Sequence, residues 1–238
     1  MIQRLVGGAH FGLAGVGLAE GQVRDVETGE VSSGTHAPVN LSDRFECRHG
    51  LGYTSIRSRH NSIQVRVTYM VADGERAEVW MVEVKNTSRR PRRVQVFPFV
   101  EWLLGLWEPE LCARNLTVLM NEGVFNDALQ SVWVTKFPWG NRPWPYHAYM
   151  GSSLPVKGYD MDFENFVGPA GDYAKPLALQ RGGCTNSVVR GNNMVGVLQH
   201  ELALDGGEEK HFSIVMGVAE TEDEAKACLE KYREWTTC

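Results

Sequence analysis

The sequence predicts an all-β protein, an antiparallel β-sandwich with one amphipathic helix at its C-terminus. In several segments, apolar and polar residues alternate with the period of two that is typical of half-buried strands. Stretches rich in glycine, proline and asparagine separate these segments and predict turns. The period changes to that of a helix only after residue 220, close to the end of the chain.

The first group of strands covers residues 62 to 100. In "SIQVRVTYM" the apolar residues alternate with polar ones, and the four predicted to face the core are Ile63, Val65, Val67 and Tyr69. After the turn "ADGERA", the segment "EVWMVEVK" is apolar on both faces at first, as in a central strand. "NTSRRPRR" predicts another turn and "VQVFPFV" another strand. These segments predict an antiparallel meander, with a solvated basic turn at residues 89–93 rather than a phosphate or nucleic-acid site.

The last group of strands precedes the helix. "NMVGVLQHELAL" places Leu198, Leu202 and Leu204 on one side together with His200, and Gly206 and Gly207 predict the turn that follows. "KHFSIVMGVA" has the same alternation. Thr221 and Glu224 then form a capping box, and the helical stripe after it consists of Ala225, Cys228, Leu229 and Tyr232. This stripe either docks on the sandwich or begins a connection to another domain.

The middle of the chain, residues 101–190, is less regular and contains the segment "FPWGNRPWPYHAYM" at 137–150. Its prolines exclude a helix, so Phe137, Trp139 and Trp144 are predicted to lie in or beside a loop. Three roles remain open for these aromatic side chains: an interface with another domain or protomer, a platform for a sugar, or a local core. We favour the interface, because so much exposed apolar area promotes association.

Composition excludes several classes of function. The 238 residues carry a net charge of −5, which argues against a general nucleic-acid or anionic-membrane binder. No apolar run is long enough to span a membrane, and glycines and His10 interrupt the signal-like start of the chain. The five cysteines have neither disulfide-framework nor zinc-site spacing, which favours the cytoplasm.

Catalytic motifs are scarce. Glu46 and His49, in the segment "ECRHG", are a candidate dyad, although a turn histidine bonded to its own backbone is the preferred interpretation. Asp160 and Asp162 are expected to be a poor acid–base pair. No nucleophile elbow, metalloprotease motif or phosphate loop occurs. The residues alone therefore predict an all-β domain that is a candidate for sugar binding.

Six further segments extend this prediction. They are "ECRHGLGYTSI" (46–56), "AEVWMVEVKNTSRRPRRVQVFPFVEW" (77–102), "TKFPWGNRPWPYHAYM" (135–150), "GYDMDFENFVGP" (158–169), "KPLALQRGGCTNS" (175–187) and "GVLQHELALDGGEEK" (196–210). In their order and approximate spacing, these segments resemble the inverting sugar phosphorylases of glycoside hydrolase family ninety-four, which include cellobiose and chitobiose phosphorylase-like enzymes and are related to cyclic glucan synthases.

The resemblance implies a domain organisation and an activity. Residues 21–218 would form a galactose mutarotase-like supersandwich, residues 219–238 would begin a linker helix, and residues 1–20 match nothing. The family cleaves β-glucosides with inorganic phosphate as co-substrate, and its catalytic groups lie in a helical barrel that this sequence lacks. The chain is therefore expected to be inactive alone, to need no cofactor or metal, and to belong to a homodimer in the full-length enzyme.

The resemblance also suggests site residues. Arg114 and Asn115 in "CARN" correspond to a "QRN"-type motif whose arginine reaches the sugar, although Ala113 replaces the usual glutamine. A guanidinium suits sugar hydroxyls. The alternative role of Arg114 is to anchor its loop. With the aromatic loop, the candidate β-glucoside contacts are Arg114, Asn115, Trp139, Trp144 and Tyr146. Two alternatives remain: a stand-alone carbohydrate-binding module, or a structural dimerisation domain.

Overall fold

The computed structural model describes residues 15–105, 113–137 and 145–233, which form two packed antiparallel sheets. The eight-stranded sheet has the order β3-β4-β5-β6-β13-β10-β9-β8. Its strands are β3 (Arg44–Gly50), β4 (Tyr53–His60), β5 (Ile63–Val71), β6 (Ala77–Asn86), β8 (Asn121–Asn126), β9 (Ser131–Lys136), β10 (His147–Ser152) and β13 (Glu209–Ala219).

The five-stranded sheet has the order β11-β12-β7-β1-β2. Its strands are β1 (Gly15–Asp25), β2 (Val31–Ser33), β7 (Arg92–Leu103), β11 (Gly158–Asp162) and β12 (Met194–Leu204). Within the described residues, four helices accompany the sheets: α1 (Arg114–Thr117), α2 (Phe163–Phe166), α3 (Leu177–Gln180) and α4 (Glu222–Tyr232). The predicted antiparallel sandwich with a C-terminal helix is confirmed.

The main core lies between the two sheets, and the predicted alternation supplies it. Ile63, Val65 and Val67 of β5 are buried there, and so are Leu198, Leu202 and Leu204 of β12. β6 is central, between β5 and β13, and is buried on both faces near its start, as its sequence predicts.

Helix α4 docks on the outer face of the eight-stranded sheet. Ala225, Cys228 and Leu229 are buried against Val79, Trp133, Tyr149 and Val215. The Thr221 hydroxyl accepts a hydrogen bond from the Glu224 N–H at 3.2 Å, and the Glu224 carboxylate accepts one from the Glu220 N–H at 2.9 Å. The predicted capping box is therefore present, with one difference: the Glu224 carboxylate accepts from the N–H of Glu220, the residue before the N-cap, and not from the N–H of Thr221.

The predicted meander is wrong at its third strand. β5 and β6 pair as expected, but β7 pairs with β1 and β12 in the other sheet. Two of the five places where the described chain crosses from one sheet to the other follow β6 and β12. Buried Asn86 joins the two crossings, because its side-chain amide donates hydrogen bonds to the carbonyls of Arg90, Leu204 and Asp205.

The basic turn is also only partly solvated. Arg89, Arg90 and Arg93 are exposed, but Arg92 is buried and ion-paired with Asp25. The irregular middle contains more order than predicted, since β8, β9, β10 and β11 all lie within it. Residues 147–150 of the aromatic segment belong to β10, a central strand between β9 and β13.

Two further observations concern the described residues alone. Cys47, Cys184 and Cys228 are free thiols. Within the described ranges, no helix is long and apolar enough to cross a membrane.

Candidate functional site

Exposed apolar side chains concentrate at one end of the sandwich, which we call the apolar end. At this end β5 ends at Val71, β9 ends at Lys136 and β13 ends at Ala219, while β10 begins at His147. Six of the eleven exposed large apolar side chains in the described part lie there: Leu51, Tyr53, Val71, Leu116, Leu119 and Phe137. Large exposed apolar patches mark interaction sites in soluble proteins, so this end is the candidate functional surface.

The turn that contains Arg114 and the base of the aromatic loop are neighbours at this end. α1 and a 3-10 turn at Val118–Met120 lead into β8, whose first residue pairs with the last residue of β9. The Phe137 N–H donates a hydrogen bond to the Met120 carbonyl at 2.9 Å. Leu119 and Phe137 are each more than half exposed, so the two segments together present an apolar corner.

Tyr146 lies at the other base of the aromatic loop, just before β10. Its half-buried ring packs against the main core, and the guanidinium carbon of Arg76 lies 5.3 Å from the ring centroid. Arg76 also donates to the Glu220 carboxylate at 3.0 Å, and this hydrogen bond is the main cause that raises the pKa of Arg76. One side of the Tyr146 ring is thus occupied by a cation, which holds the ring in place.

A buried carboxylic acid faces the interior at the same end. Glu78 is the second residue of β6 and shares its inward face with Trp80. The Trp80 indole N–H donates to Glu78 Oε1 at 2.6 Å. Burial raises the pKa of Glu78 because the charged form is poorly solvated, and the indole hydrogen bond offsets only part of this effect.

The structure describes the side chains of only two of the five predicted sugar contacts. Arg114 is the first residue of α1, but its side chain is outside the described part, as are Trp139 and Trp144 entirely. Asn115 is exposed and Tyr146 is half-buried, both at the apolar end. The sequence reasoning missed Arg76 and Glu78; a glutamate within the apolar first half of a central strand was the available signal for Glu78.

Neither interpretation of the Glu46–His49 pair is correct. Both residues lie in strand β3, and in a strand positions three apart point to opposite faces. The Glu46 carboxylate accepts from Arg48 at 2.6 Å and lies 3.7 Å from Arg57. The His49 ring bonds the Thr54 hydroxyl at 3.0 Å rather than its own backbone.

Asp160 and Asp162 have separate hydrogen-bond partners. Asp160 is fully buried, and its Oδ1 accepts from the N–H and hydroxyl groups of Thr185 and Ser187 at 2.7–3.0 Å. Asp162 caps α2 through the Asn165 N–H. Both carboxylates therefore organise the chain that covers the five-stranded sheet.

One cluster of described residues has potential metal ligands. Ligand atoms of Glu83, Glu209 and His211 lie within 4.8 Å of one another. However, Arg66 already pairs with Glu83 at 2.9 Å and Lys85 with Glu209 at 3.1 Å. Cations of the protein thus neutralise both carboxylates, and the cluster belongs to a row of charged side chains on the outer face of the sheet.

The fold and the site define a class: an antiparallel supersandwich with an apolar end, and with no convergent catalytic group among the described residues. Comparison with known proteins is consistent with that class. The chain belongs to the family described as "Glycosyl hydrolase 94, supersandwich domain", whose model matches residues 22–235. This match confirms the family predicted from the six segments.

Two curated relatives and one solved structure illustrate the similarity. The chain is 32% identical to solabiose phosphorylase of Paenibacillus borealis, over 88% of the chain and 27% of that protein. It is 30% identical to N,N'-diacetylchitobiose phosphorylase of Vibrio furnissii, over 82% of the chain and 24% of that protein. A bacterial glucoamylase complexed with acarbose shares the fold at 10% identity, with a TM-score of 0.58, over 93% of this chain and 30% of that chain. The chain thus spans about a quarter of the length of these phosphorylases.

Proposed function

We propose that this chain is the non-catalytic β-sandwich portion of a glycoside phosphorylase or related glycosyltransferase that acts on β-glucosides, with inorganic phosphate as co-substrate. Its role is to pack against a helical catalytic domain, to contribute sugar contacts beside that domain, and to take part in a homodimer. The phosphorylases that it resembles support the reaction class.

The observation that carries the proposal is the concentration of exposed apolar side chains at the apolar end. Leu116, Leu119 and Phe137 form a corner there, next to the exposed Asn115. Covering apolar area is favourable by about 25 cal/mol per Å². A catalytic domain that sits on this corner would bury it and would bring Arg114, Asn115, Trp139, Trp144 and Tyr146 close to a bound sugar.

The test is Phe137→Ser, with Leu41→Ser as the matched control. Both side chains are about half exposed, but Leu41 lies near His60, at the opposite end of the sandwich. If the apolar end is an interface, Phe137→Ser lowers the binding of a dye for apolar surface with no loss of thermal stability, whereas Leu41→Ser leaves dye binding unchanged. A large loss of stability in Phe137→Ser would instead assign the corner to the local core.

A titration followed by NMR tests the sugar contacts. Cellobiose and chitobiose are added to the chain, and amide shifts are expected near Asn115 and Tyr146. Tight binding by the isolated chain that Tyr146→Ala abolishes would favour a stand-alone carbohydrate-binding module. A chain that binds no sugar and has no accessible apolar end would favour a purely structural domain.

A further inference from the structure

We propose that strand β3 is a self-complementary edge, through which two copies of this chain join their eight-stranded sheets around a two-fold axis. The proposal rests on one part of the proposed function, the homodimer, and specifies which surface forms the dimer interface. It does not depend on the sugar or on the reaction.

β3 is the terminal strand of the eight-stranded sheet. It pairs with β4 on one side, and no other described strand pairs with its second edge. All seven residues of Arg44–Gly50 are exposed or half-buried. An unpaired edge presents a row of backbone donors and acceptors that can pair with another chain.

The β3–β4 hairpin determines which backbone groups face outward. Its loop has two residues, Leu51 and Gly52, between the paired Gly50 and Tyr53. A two-residue loop closes on a pair that exchanges both backbone hydrogen bonds, and the direction then alternates along the strand. The N–H and C=O groups of Phe45, Cys47 and His49 therefore point to the free edge.

A symmetric antiparallel pair centred on Cys47 uses all of these groups. Cys47 pairs with its own copy and Phe45 pairs with His49, which gives about six hydrogen bonds between the two backbones. On the outer face, Glu46 then lies opposite Arg48 of the second copy, and this happens twice because of the two-fold axis. Opposite charges in directly facing positions stabilise a sheet.

The charges also select this register against its neighbours. A symmetric pair centred on Glu46 would place two glutamates opposite each other, and one centred on Arg48 would place two arginines opposite each other. Like charges at facing positions are destabilising. The side chains that would meet are accessible, since Arg48 is 71% exposed and Glu46 30% exposed.

In the dimer, the row of charges would continue from the eight-stranded sheet of one copy into the eight-stranded sheet of the other. Within one chain, Glu46 faces Arg57, Arg57 faces Arg66, and Arg66 faces Glu83. Glu46 is the last acidic group of this row before the free edge; it already accepts from Arg48 of its own chain, and Arg48 of a second copy would add a cation from across the edge. The occupant that fits this edge is therefore another copy of the same strand.

The test is a charge swap, measured by analytical ultracentrifugation at low salt under reducing conditions. Glu46→Arg and Arg48→Glu each replace two attractive pairs with two repulsive ones, so each single variant should weaken dimerisation at least about tenfold. The double variant Glu46→Arg/Arg48→Glu restores opposite charges and should dimerise like the wild type. An equimolar mixture of the two single variants should form heterodimers.

Disulfide cross-linking tests whether Cys47 of one copy faces Cys47 of the other, as the proposed register requires. Diamide accepts two electrons and two protons from two thiols, so it should join two chains through a Cys47–Cys47 disulfide in the wild type and not in Cys47→Ser. Cys47→Ser should still dimerise, because the backbone pairing does not need the thiol.

Three outcomes would overturn the proposal. These are a wild type that stays monomeric over the whole concentration series, single variants that dimerise as well as the wild type, and a mixture of the single variants that does not associate. If Phe137→Ser abolishes the dimer while Glu46→Arg leaves it intact, the edge is not the interface, and the proposed function stands. If the edge pairing holds but the apolar end binds neither dye nor sugar, the proposed function fails and the dimer remains.

Discussion

The guanidinium of Arg92 forms an ion pair with the carboxylate of Asp25, and both side chains are buried. Arg92 Nε donates to Asp25 Oδ2 at 3.1 Å, and Arg92 also donates to the Asn61 carbonyl at 3.1 Å. Asp25 accepts two more hydrogen bonds, from the N–H groups of Glu27 and Thr28. The ion pair therefore joins β1 and β7 within the five-stranded sheet, and the bond to Asn61 connects Arg92 to the turn between β4 and β5 of the eight-stranded sheet.

Arg92→Ala should destabilise the protein by about 3–5 kcal/mol, because it leaves the Asp25 charge buried without its partner. Arg93→Ala is the control, since Arg93 is exposed and should change the free energy of unfolding by no more than about 0.5 kcal/mol. Urea denaturation of both variants measures the difference. Equal stabilities of the two variants would show that the buried ion pair does not stabilise the fold.

Glu78→Gln should remove a pH dependence of stability. The folded-state pKa of Glu78 is raised by burial, so its favourable contribution is present below the unfolded pKa and is lost as the pH rises through the folded value. Glutamine keeps the oxygen that accepts from Trp80 and carries no charge. Glu78→Gln should therefore match the wild type in acid and exceed it in melting temperature at neutral pH.

Thermal unfolding scans from acid to neutral pH measure the difference in melting temperature between Glu78→Gln and the wild type. Glu83→Gln, on the outer face of the same strand, is the control. A Glu78→Gln protein that is less stable than the wild type at neutral pH would contradict the prediction.

Leu229→Ala should lower the free energy of unfolding by about 2–5 kcal/mol. The Leu229 side chain is buried between α4 and the eight-stranded sheet, where it lies against Gly151 of β10. Lys226→Ala, on the exposed side of the same helix, should have little effect. Chemical denaturation compares the two variants. If α4 served only to connect to another domain, Leu229→Ala would be nearly neutral in this chain.

The chain alone should release no sugar 1-phosphate from cellobiose or chitobiose in the presence of inorganic phosphate. The physical reason is that the described residues bring no general acid together with a group that binds phosphate. The measurement is enzymatic detection of glucose 1-phosphate and N-acetylglucosamine 1-phosphate against a mock preparation. Release above that background would show that this chain carries its own catalytic site.

The sequence alone determined which segments are strands wherever one strand face is buried and the other is not. In β5 the buried Ile63, Val65 and Val67 alternate with half-buried polar residues, and this period of two is visible without any structure. Thr221 and Glu224 likewise determined where α4 begins, because a cap involves neighbours in the chain. The six ordered segments determined the family.

The tertiary structure decided what depends on distant residues. Periodicity shows that a strand has a buried face but not which strand lies beside it, so β7 was assigned to the wrong neighbour. Arg92 was predicted to be solvated because its partner, Asp25, is 67 positions away.

The sequence did not predict strand β10, because β10 is buried on both faces, between the core and α4. A strand buried on both faces lacks the alternation of apolar and polar residues that identifies a strand. The apolar end arises in the same way: Leu51 and Phe137 are far apart in the chain, and only the antiparallel pairing of eight strands brings their turns to one end of the sandwich.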